Sequence, residues 1–465
     1  MGWPPPGMEG VMDLQDWLIP LVDEGLGNSA YLLDLGDGRA LAVDPSLDLR
    51  AVGVQAARRG LRIAYAAETH LHADFLSGAR QLATDHDARI LASAAGKREF
   101  DHTGLADGDE VDLGGLTLRA WQTPGHTPEH LSYLVLDGAR EVAVFTGGSL
   151  IVGAAARTDL AGAEHTEELA RAQYRSLRRL AGLPDATAVW PTHGAGSFCS
   201  APPGATRTST IGVEKARNAL LAAPDEDTFV RRLLAGLGSY PAYFDRLAEI
   251  NRRGPDLVTA PPLLAPLAAR RVRDLLADGG YVVDVRPVVD YAAGHIPGSV
   301  SIPLRPQYAT WLGWLLPPDV PIVIVRNPGQ DPDDIVWPAL AVGYHTIVGE
   351  LAGAVAAWAA DGGQTRTTGL VQPEQVDTPV VVDVRQRSEH AAGHLPRAEL
   401  IELGDLADRA EEVPAGPATV MCGHGERAAT GASLLERAGR TDVSILLGGP
   451  TDWAAATGRG LDAEQ

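Results

Sequence analysis

Val282-Val283-Asp284-Val285-Arg286 recurs 99 residues later as Val381-Val382-Asp383-Val384-Arg385. A second segment, Gly294-His295-Ile296-Pro297, recurs at the same offset as Gly393-His394-Leu395-Pro396. Two markers with one common offset indicate a duplicated unit of about 100 residues, which suffices for an independent domain. Within each unit, short apolar β-runs alternate with helical patterns. This alternation is typical of a parallel sheet that is covered by helices on both faces.

The region before the repeat also alternates β-runs with helical stretches. Two β-runs, residues 31–35 and 40–43, flank Gly36-Asp37-Gly38, which is a hairpin signal. The segment 252–266 contains four prolines and has the composition of a linker. We therefore predict three domains, over residues 1–255, 256–366 and 367–465.

Composition limits the class of protein. The chain of 465 residues is 45% hydrophobic and 21% charged, as in soluble globular proteins, and its formal net charge is −21. Because no basic cluster opposes this charge, neither nucleic acid nor an anionic membrane surface is expected as a partner. No apolar run reaches the ~20 residues that cross a bilayer, and the proline-rich residues 1–10 lack the features of a secretory signal. We expect a cytoplasmic protein.

The second unit contains a cysteine in a setting that favours reactivity. A predicted strand, residues 419–421, runs into Cys422-Gly423-His424-Gly425-Glu426-Arg427, and a helical stretch follows over residues 428–438. The glycines allow the loop to curl tightly, and the helix start directs backbone N–H groups at the sulfur. Arg427 adds a permanent positive charge. These features stabilise the thiolate, which is the nucleophilic form of cysteine; a packed, inert thiol is the alternative.

The duplicated unit resembles the rhodanese family, in which a strand ending in Asp-Val-Arg precedes Gly-His-Ile-Pro-Gly and then the catalytic loop. Four residues separate Cys422 from Arg427, as in the sulfurtransferase loop of that family. The resemblance implies that Cys422 carries sulfur as a persulfide and that Arg427 assists it. The cradle would be formed by the residues between them, Gly423, His424, Gly425 and Glu426.

The first unit lacks this chemistry, since its equivalent loop is Val325-Arg326-Asn327-Pro328-Gly329. We expect a structural or docking unit there. Four repeated residues are expected to be scaffold residues that tie loops together by hydrogen bonds: Asp284, His295, Asp383 and His394.

Histidines follow predicted strands in the region before the repeat. The segments are Thr69-His70-Leu71-His72-Ala73-Asp74, Thr123-Pro124-Gly125-His126-Thr127, Phe145-Thr146-Gly147-Gly148 and Pro191-Thr192-His193-Gly194. Together they resemble the metallo-β-lactamase fold, in which loops at strand ends gather histidines and aspartates around one or two metal ions. The exact residues of these motifs resemble those of the persulfide dioxygenases and their glyoxalase II relatives.

The order of the domains is similar to that of bacterial persulfide dioxygenase–rhodanese fusions. The resemblance implies a multidomain α/β and α+β chain: an αββα metallo-β-lactamase sandwich followed by two α/β rhodanese domains. It also implies that Arg157, in Arg157-Thr158-Asp159, binds the carboxylate of a thiol cofactor; a surface ion pair is the alternative. Related folds often dimerise, which leaves a homo-oligomer open.

Two residues depart from the family pattern. Phe75 stands where the family has a histidine, and Gly148 stands where it has an aspartate that binds the metal. In persulfide dioxygenases, iron is held by residues that match His70, His126 and that aspartate. A face of two histidines and one carboxylate leaves positions open for substrate and O₂, and Gly148 removes its carboxylate.

A set of nitrogen ligands remains. His70, His72 and His126 are predicted to bind one metal ion, Fe(II) or Zn(II), with Asp74 and His193 as weaker ligands. A domain without metal, in which hydrogen bonds hold the histidines, is the alternative.

The resulting hypothesis is an enzyme of sulfane-sulfur metabolism that acts on low-molecular-weight thiol persulfides, with thiosulfate or sulfite as further substrates. The N-terminal domain would oxidise the outer sulfur of the persulfide with O₂, and Cys422 would transfer sulfane sulfur. Two alternatives for the N-terminal domain stay open. One is metal-dependent hydrolysis of a thioester, as in glyoxalase II, and the other is a metal-free binding module that serves the rhodanese domains.

Overall fold

The structure, a computed structural model, describes residues 17–199, 204 and 206–463. The proline-rich start, residues 1–10, lies outside the described residues. The chain divides into two compact units, Met1–Ala260 with Leu340–Gly343, and Pro261–Ala339 with Tyr344–Gln465. No helix in the described part of the chain is long and apolar enough to cross a membrane.

The first unit contains two six-stranded sheets. Their strands are β1 (Leu18–Asp23), β2 (Asn28–Asp34), β3 (Arg39–Val43), β4 (Arg62–Ala67), β5 (Arg89–Ser93) and β6 (Thr103–Leu105) in the first sheet, and β7 (Glu110–Asp112), β8 (Thr117–Gln122), β9 (Leu131–Asp137), β10 (Arg140–Gly147), β11 (Ala188–Pro191) and β12 (Ser209–Thr210) in the second. The first sheet has the order β1-β2-β3-β4-β5-β6 and the second the order β12-β11-β10-β9-β8-β7. The helices of this unit are α1 (Arg50–Arg59), α2 (Ala79–His86), α3 (Thr166–Leu180), α4 (Ile211–Arg217), α5 (Glu226–Ala235) and α6 (Phe244–Arg253).

The apolar faces of the two sheets pack on each other. Tyr31 of the first sheet contacts Phe145 and Trp190 of the second, with ring centroids 5.4 Å and 6.4 Å away. Two further clusters pack α1 and α2 on the outer face of the first sheet and α3 and α5 on the outer face of the second. Each helix therefore buries one apolar stripe against a sheet. The result is the predicted αββα sandwich.

The second unit contains two five-stranded parallel sheets, as the alternating pattern predicts. Their strands are β13 (Pro266–Leu267), β14 (Tyr281–Asp284), β15 (Val300–Ser301), β16 (Ile322–Val325) and β17 (Ile347–Leu351), and then β18 (Gly369–Val371), β19 (Val380–Asp383), β20 (Glu399–Leu400), β21 (Ala418–Met421) and β22 (Val443–Leu446). The strand orders, β13-β17-β16-β14-β15 and β18-β22-β21-β19-β20, are the same in both repeats. The following helices are α7 (Ala269–Ala277), α8 (Val288–Ala293), α9 (Tyr308–Leu315), α10 (Asp333–Ala341), α11 (Ala354–Ala360), α12 (Arg387–Ala392), α13 (Glu426–Arg437) and α14 (Pro450–Thr457).

The repeated aspartates hold equivalent turns in the two domains. Asp284 pairs with Arg286, whose Nη2 also donates to the carbonyl of Gly294 at 2.8 Å. Asp383 pairs in the same way with Arg385 in the second repeat. The repeated histidines bond to the carbonyl four residues earlier, at 3.0 Å for His295 and 2.9 Å for His394. The prediction that these residues are scaffold is confirmed.

The interface between the two sheets of the first unit should depend on Trp190. Its side chain is 2% exposed, so we expect Trp190→Ala to lower the free energy of unfolding by about 3–5 kcal/mol. Denaturant unfolding followed by tryptophan-independent circular dichroism measures this. Val54→Ala is the matched control, because Val54 is 49% exposed and should change stability by less than about 0.5 kcal/mol. Equal effects of the two substitutions would contradict the assignment of the core.

Candidate active sites: a histidine cluster and a thiol loop

Three histidines from three different strand ends meet inside the first unit. His70 follows β4, His126 follows β8 and His193 follows β11. All three are at most 2% exposed. The Nε2 atoms of His193 and His70 are 3.4 Å apart, and the ring centroid of His126 lies 4.8 Å from that of His70 and 5.1 Å from that of His193.

The hydrogen bonds of the rings set their tautomers. Nδ1 of His126 faces the carbonyl of Arg157 at 2.7 Å, and Nδ1 of His193 faces Oδ1 of Asn28 at 2.9 Å. Nδ1 of His70 faces the Thr69 hydroxyl at 2.9 Å, and that hydroxyl already donates to Asp44. Since each partner is an acceptor, each Nδ1 carries the proton and each Nε2 presents a lone pair.

The rings are also held neutral. Burial, with a smaller contribution from neighbouring histidines, lowers the pKa of both His126 and His193 to about 3. Burial and the surrounding histidines hold the pKa of His70 well below its usual value. Neutral imidazoles with free Nε2 lone pairs are the form in which histidine binds metals.

The cluster has the dimensions of a metal site. One ligand atom from each of His70, His126 and His193 lies within 4.8 Å of the others. Two nitrogens bound to one tetrahedral Zn²⁺ would be about 3.4 Å apart, which matches the spacing of the His70 and His193 Nε2 atoms. The residues present therefore fit a bound metal ion.

His72, which the sequence analysis grouped with His70 and His126, faces another direction. Its Nε2 lies 3.2 Å from Oδ1 of Asp44, and its ring stacks on Phe75 with centroids 4.2 Å apart. Burial lowers the pKa of His72, but the Asp44 carboxylate outweighs it and raises the pKa above its ordinary value. Asp44, His70 and His72 form a second, overlapping group of candidate ligands. In the first group of candidate ligands, His193, which was predicted as a weaker ligand, thus takes the place that was predicted for His72 beside His70 and His126.

Gly148 leaves no room for the aspartate that the family pattern has at this position. A Cβ atom there would lie 2.2 Å from Cδ2 of His126, so the His126 ring occupies the space. The backbone N–H of Gly148 donates to Nε2 of His130 at 3.0 Å, and the His130 ring stacks on His70 with centroids 5.1 Å apart. His130 thereby supports His70. His130, Asn28 and Asp44 could not be predicted from the sequence, because none of them stands in a recognised motif.

Asp74 and Cys199 lie at the edge of the cluster. Asp74 accepts a hydrogen bond from Asn28 at 2.7 Å through Oδ2, whereas its buried Oδ1 has no hydrogen-bond partner among the described residues. Asp74, His193 and Cys199 form a third candidate group of ligands. Burial raises the pKa of the Cys199 thiol well above its usual value, so this thiol is held in its protonated form.

Arg157 is buried, and protein groups already engage its guanidinium. Two bonds of 2.7 Å join it to Asp159, and two others go to the carbonyls of Phe198 and Gly238 at 3.0 Å and 2.8 Å. It also lies 4.3 Å from the ring centroid of Tyr240. Its backbone carbonyl orients the ring of His126.

The thiol of Cys422 lies at the end of β21, just before α13. The residue is 1% exposed, and the backbone N–H of Gly425 donates to its Sγ at 3.1 Å. Gly425 has φ of +110°, a conformation that only glycine adopts readily. This conformation turns the backbone N–H towards the sulfur and starts the helix. His424 is exposed at the tip of the loop.

Arg427 is tied to a carboxylate. Its Nη1 and Nη2 donate to the two oxygens of Glu389 at 2.7 Å and 2.8 Å. Burial raises the pKa of Glu389, but the Arg427 charge outweighs it and the pKa is lowered overall. The pair holds Arg427 beside the thiol loop and neutralises much of its charge. Glu389 was not among the predicted site residues, although the spacing of Gln386 and Glu389 is that of a capping box, which the structure contains.

The first repeat has an ion pair where the second has its thiol. Asp284 pairs with Val325 in the first sheet as Asp383 pairs with Met421 in the second, so Arg326 occupies the position of Cys422. Arg326 forms a two-point ion pair with Glu350 of β17. An internal ion pair fills this loop, which agrees with the absence of a thiol.

Known families match both halves of the chain. The Metallo-beta-lactamase superfamily matches residues 23–193, and the Rhodanese-like domain matches residues 268–361 and 370–456. A probable metallo-hydrolase of Burkholderia pseudomallei (strain 1710b) is 32% identical over 36% of this chain and 67% of its own length. The chain belongs to the metallo-β-lactamase superfamily. It combines the metallo-β-lactamase domain with two rhodanese-like domains, which confirms the predicted family and fold class.

Two further relatives are informative. The mitochondrial persulfide dioxygenase of Bos taurus is 29% identical over 35% of this chain and 62% of its own length. The crystal structure of a metallo-β-lactamase from Staphylococcus aureus (subsp. aureus COL) is 29% identical, with a TM-score of 0.63, and the match covers 72% of this chain and 98% of that one. The chain thus spans about two thirds or less of the length of its curated relatives. Both kinds of domain indicate an enzyme.

Because the His126 ring packs against Gly148, an aspartate at position 148, as in the family pattern, should be poorly tolerated. We expect Gly148→Asp to weaken metal binding and to lower the free energy of unfolding by about 1–3 kcal/mol, because the new Cβ would overlap the His126 ring. Thermal unfolding and elemental analysis measure the two effects. Gly53→Asp is the control, since nothing lies within 4 Å of a Cβ at that position. A stable variant with its full metal content would show that the ring moves aside.

Proposed function

We propose that the chain is a sulfurtransferase of sulfane-sulfur metabolism, with Cys422 as the residue that carries the sulfur. The observation that carries this proposal is the hydrogen bond of 3.1 Å from the Gly425 N–H to Sγ at the start of α13. A backbone donor at a helix N-terminus favours negative charge on the sulfur, both in the thiolate and in the persulfide. The match to the Rhodanese-like domain over residues 370–456 supports the same chemistry.

Thiosulfate is the sulfur donor in this proposal. The Cys422 thiolate attacks the outer sulfur of thiosulfate, a new S–S bond forms, and the S–S bond of thiosulfate breaks. Its electron pair leaves with sulfite, which gains one negative charge, and the terminal sulfur of the Cys422 persulfide keeps the negative charge that it carried in thiosulfate. A low-molecular-weight thiolate then attacks that terminal sulfur, receives it as a persulfide and releases the Cys422 thiolate.

The ion pair of Arg427 with Glu389 has a positioning role in this scheme. It fixes the start of α13 to the capping turn of α12, because Glu389 also accepts the N–H of Gln386 at 3.1 Å. The backbone N–H of Gly425 therefore keeps its direction while the sulfur gains and loses an atom. A preorganised donor of this kind needs no rearrangement during the reaction.

For the metallo-β-lactamase domain we propose one metal ion, held by His70, His126 and His193, and a low-molecular-weight thiol persulfide as substrate. The similarity to the bovine persulfide dioxygenase supports the substrate class. Bound iron would supply the activation of O₂, which together with water converts the outer sulfur of the persulfide to sulfite and releases the thiol. The protein holds the three rings neutral and shields them from solvent. At Cys422, the sulfite from this domain and a persulfide would then be converted to thiosulfate and a thiol, or the reverse.

Metal-dependent hydrolysis of a thioester is the second candidate for this domain. The absence of a carboxylate at Gly148 favours it, because three nitrogens with one open position are typical of catalytic zinc. The similarity to the probable metallo-hydrolase of Burkholderia pseudomallei agrees with this alternative.

The role of Cys422 is tested by Cys422→Ser in the full chain. We expect the transfer of sulfur from thiosulfate to a thiol or cyanide to fall at least about 10³-fold, because serine cannot form a persulfide. Cys199→Ser is the matched control, since the buried Cys199 lies in the other unit, and it should retain the transfer. Mass spectrometry after addition of thiosulfate should show one added sulfur on Cys422 only. Transfer that survives in Cys422→Ser would overturn the proposal.

The two candidates for the N-terminal domain are separated by metal content and substrate. Protein purified without chelator, after expression with iron and zinc available, should contain close to one metal ion per chain. Iron together with O₂ uptake on glutathione persulfide would support oxidation, whereas zinc together with cleavage of S-lactoylglutathione would support hydrolysis. His126→Ala should lose the metal and the activity, and His165→Ala, with a side chain that is 54% exposed, should keep both. Protein without metal would leave only a binding role for this domain.

A further inference from the structure

The first rhodanese-like domain lies along helix α13, whose N-terminus points at the thiol. Near the C-terminal end of this helix, Glu436 accepts hydrogen bonds from His295 Nε2 and from the Gly298 N–H, both at 3.1 Å. One turn earlier, the Ser433 hydroxyl accepts the N–H of Ser301 at 3.0 Å. As the chain advances from Gly298 it thus follows α13 back towards its first turn.

This segment continues to Arg305, which lies at the first turn of α13. Arg305 Nη1 is 4.0 Å from Oε2 of Glu426, the first residue of the helix. The Arg305 side chain is 26% exposed and makes no hydrogen bond to any other described residue through its guanidinium. Burial lowers the pKa of Arg305 and the nearby Arg427 charge adds to this, while Glu426 and Cys422 act in the opposite direction. Arg305 is a permanent cation, and it lies beside the first turn of the helix whose N-terminus points at the thiol.

Arg305 belongs to the first repeat only. At the offset of 99 residues its counterpart is Gly404, and the residues just before them, Leu304 and Leu403, make equivalent backbone hydrogen bonds at 2.9 Å and 3.2 Å. A Cβ at Gly404 would lie 2.2 Å from Nε1 of Trp314. The second repeat, which carries the thiol, thus has no space for an arginine at position 404. The first repeat, which lacks the thiol, has Arg305 at the equivalent position.

The thiol needs such a cation for an anionic substrate. Its own domain supplies Arg427, but both terminal nitrogens of Arg427 are bound to Glu389. Thiosulfate carries two negative charges and releases sulfite, which also carries two. A guanidinium binds a planar or trigonal set of oxygens with two donors, and a cation without a hydrogen-bonded partner does so without first breaking another bond.

We propose that Arg305 binds the sulfonate end of thiosulfate, so that the thiol-free domain supplies the anion-binding residue of the Cys422 site. This inference rests on the proposed sulfurtransferase function. Arg305 holds the outer sulfur of thiosulfate towards Cys422. When the S–S bond breaks and its electron pair leaves with sulfite, the charge that grows on the sulfite oxygens is next to the guanidinium. The first domain therefore completes the active site rather than only docking beside it.

The test compares Arg305→Gln with the wild-type full chain. The kcat/KM for thiosulfate should fall about ten- to a hundredfold, the range for a charge-assisted hydrogen bond, mainly through KM. Alkylation of Cys422 by neutral iodoacetamide reports on the thiol alone and should change less than about threefold. Thiosulfate should protect Cys422 from alkylation at about tenfold lower concentration in the wild type than in the variant. Arg305→Lys should recover part of the loss, because it restores the charge without the two-point geometry.

Arg270→Gln is the matched control, because it removes an exposed arginine from α7 of the same domain, and it should leave the KM unchanged. Equal kinetics for Arg305→Gln and the wild type would overturn the role of Arg305 while leaving the sulfurtransferase intact. An equal loss in alkylation and in sulfur transfer would also overturn it, since Arg305 would then act on the thiol itself. If the wild type takes no sulfur from thiosulfate, the proposed function fails first.

Discussion

Helix α13 joins the thiol site of the second unit to the contact between its two repeats. Its first turn supplies the N–H that reaches the sulfur of Cys422, and its last turns supply Ser433 and Glu436, which hold the other repeat. Glu436 is 7% exposed on its side chain and faces His295, which is fully buried. Burial of such a pair is favourable only when both partners are satisfied, and here the Gly298 N–H and the Tyr291 carbonyl complete them. Chemistry and domain assembly therefore share one rigid helix.

The two repeats share one fold but differ in the residues of the loop that follows the central strand. Where the second repeat has a cysteine under a backbone N–H, the first has Arg326 paired with Glu350. In both repeats the polar group at the end of this central strand has a partner, the Gly425 N–H for the buried Cys422 and Glu350 for the half-buried Arg326. The scaffold of the first repeat nevertheless matches that of the second, because Asp284 and Arg286 hold their turn as Asp383 and Arg385 hold theirs.

The histidine cluster of the first unit follows another constraint, which is space. Close packing fixes the ring of His126 over Gly148, while the carbonyl of Arg157 fixes its Nδ1. The His126 ring occupies the space that a side chain at position 148 would need, and His193 completes a set of three nitrogens. His72 instead lies beside the buried Asp44, with Nε2 3.2 Å from Oδ1, and Asp44 accepts hydrogen bonds from the hydroxyls of Thr69 and Thr192. The group that bonds to one nitrogen of a histidine ring, such as the Arg157 carbonyl at His126, decides which nitrogen is left free to bind a metal.

The sequence by itself determined the duplication, the parallel sheets, the αββα sandwich and the position of the thiol loop. The duplication, the parallel sheets and the thiol loop follow from local periodicity and from motifs that are contiguous in the chain, such as the loop from Cys422 to Arg427. The αββα sandwich was implied by the resemblance of the histidine motifs to the metallo-β-lactamase fold. Tertiary structure alone decided which rings converge, that Arg427 is bound to Glu389, and that Arg305 faces the thiol loop of the other repeat. The physical reason is that these contacts join residues far apart in the chain, and side-chain directions are set by packing that no local pattern encodes.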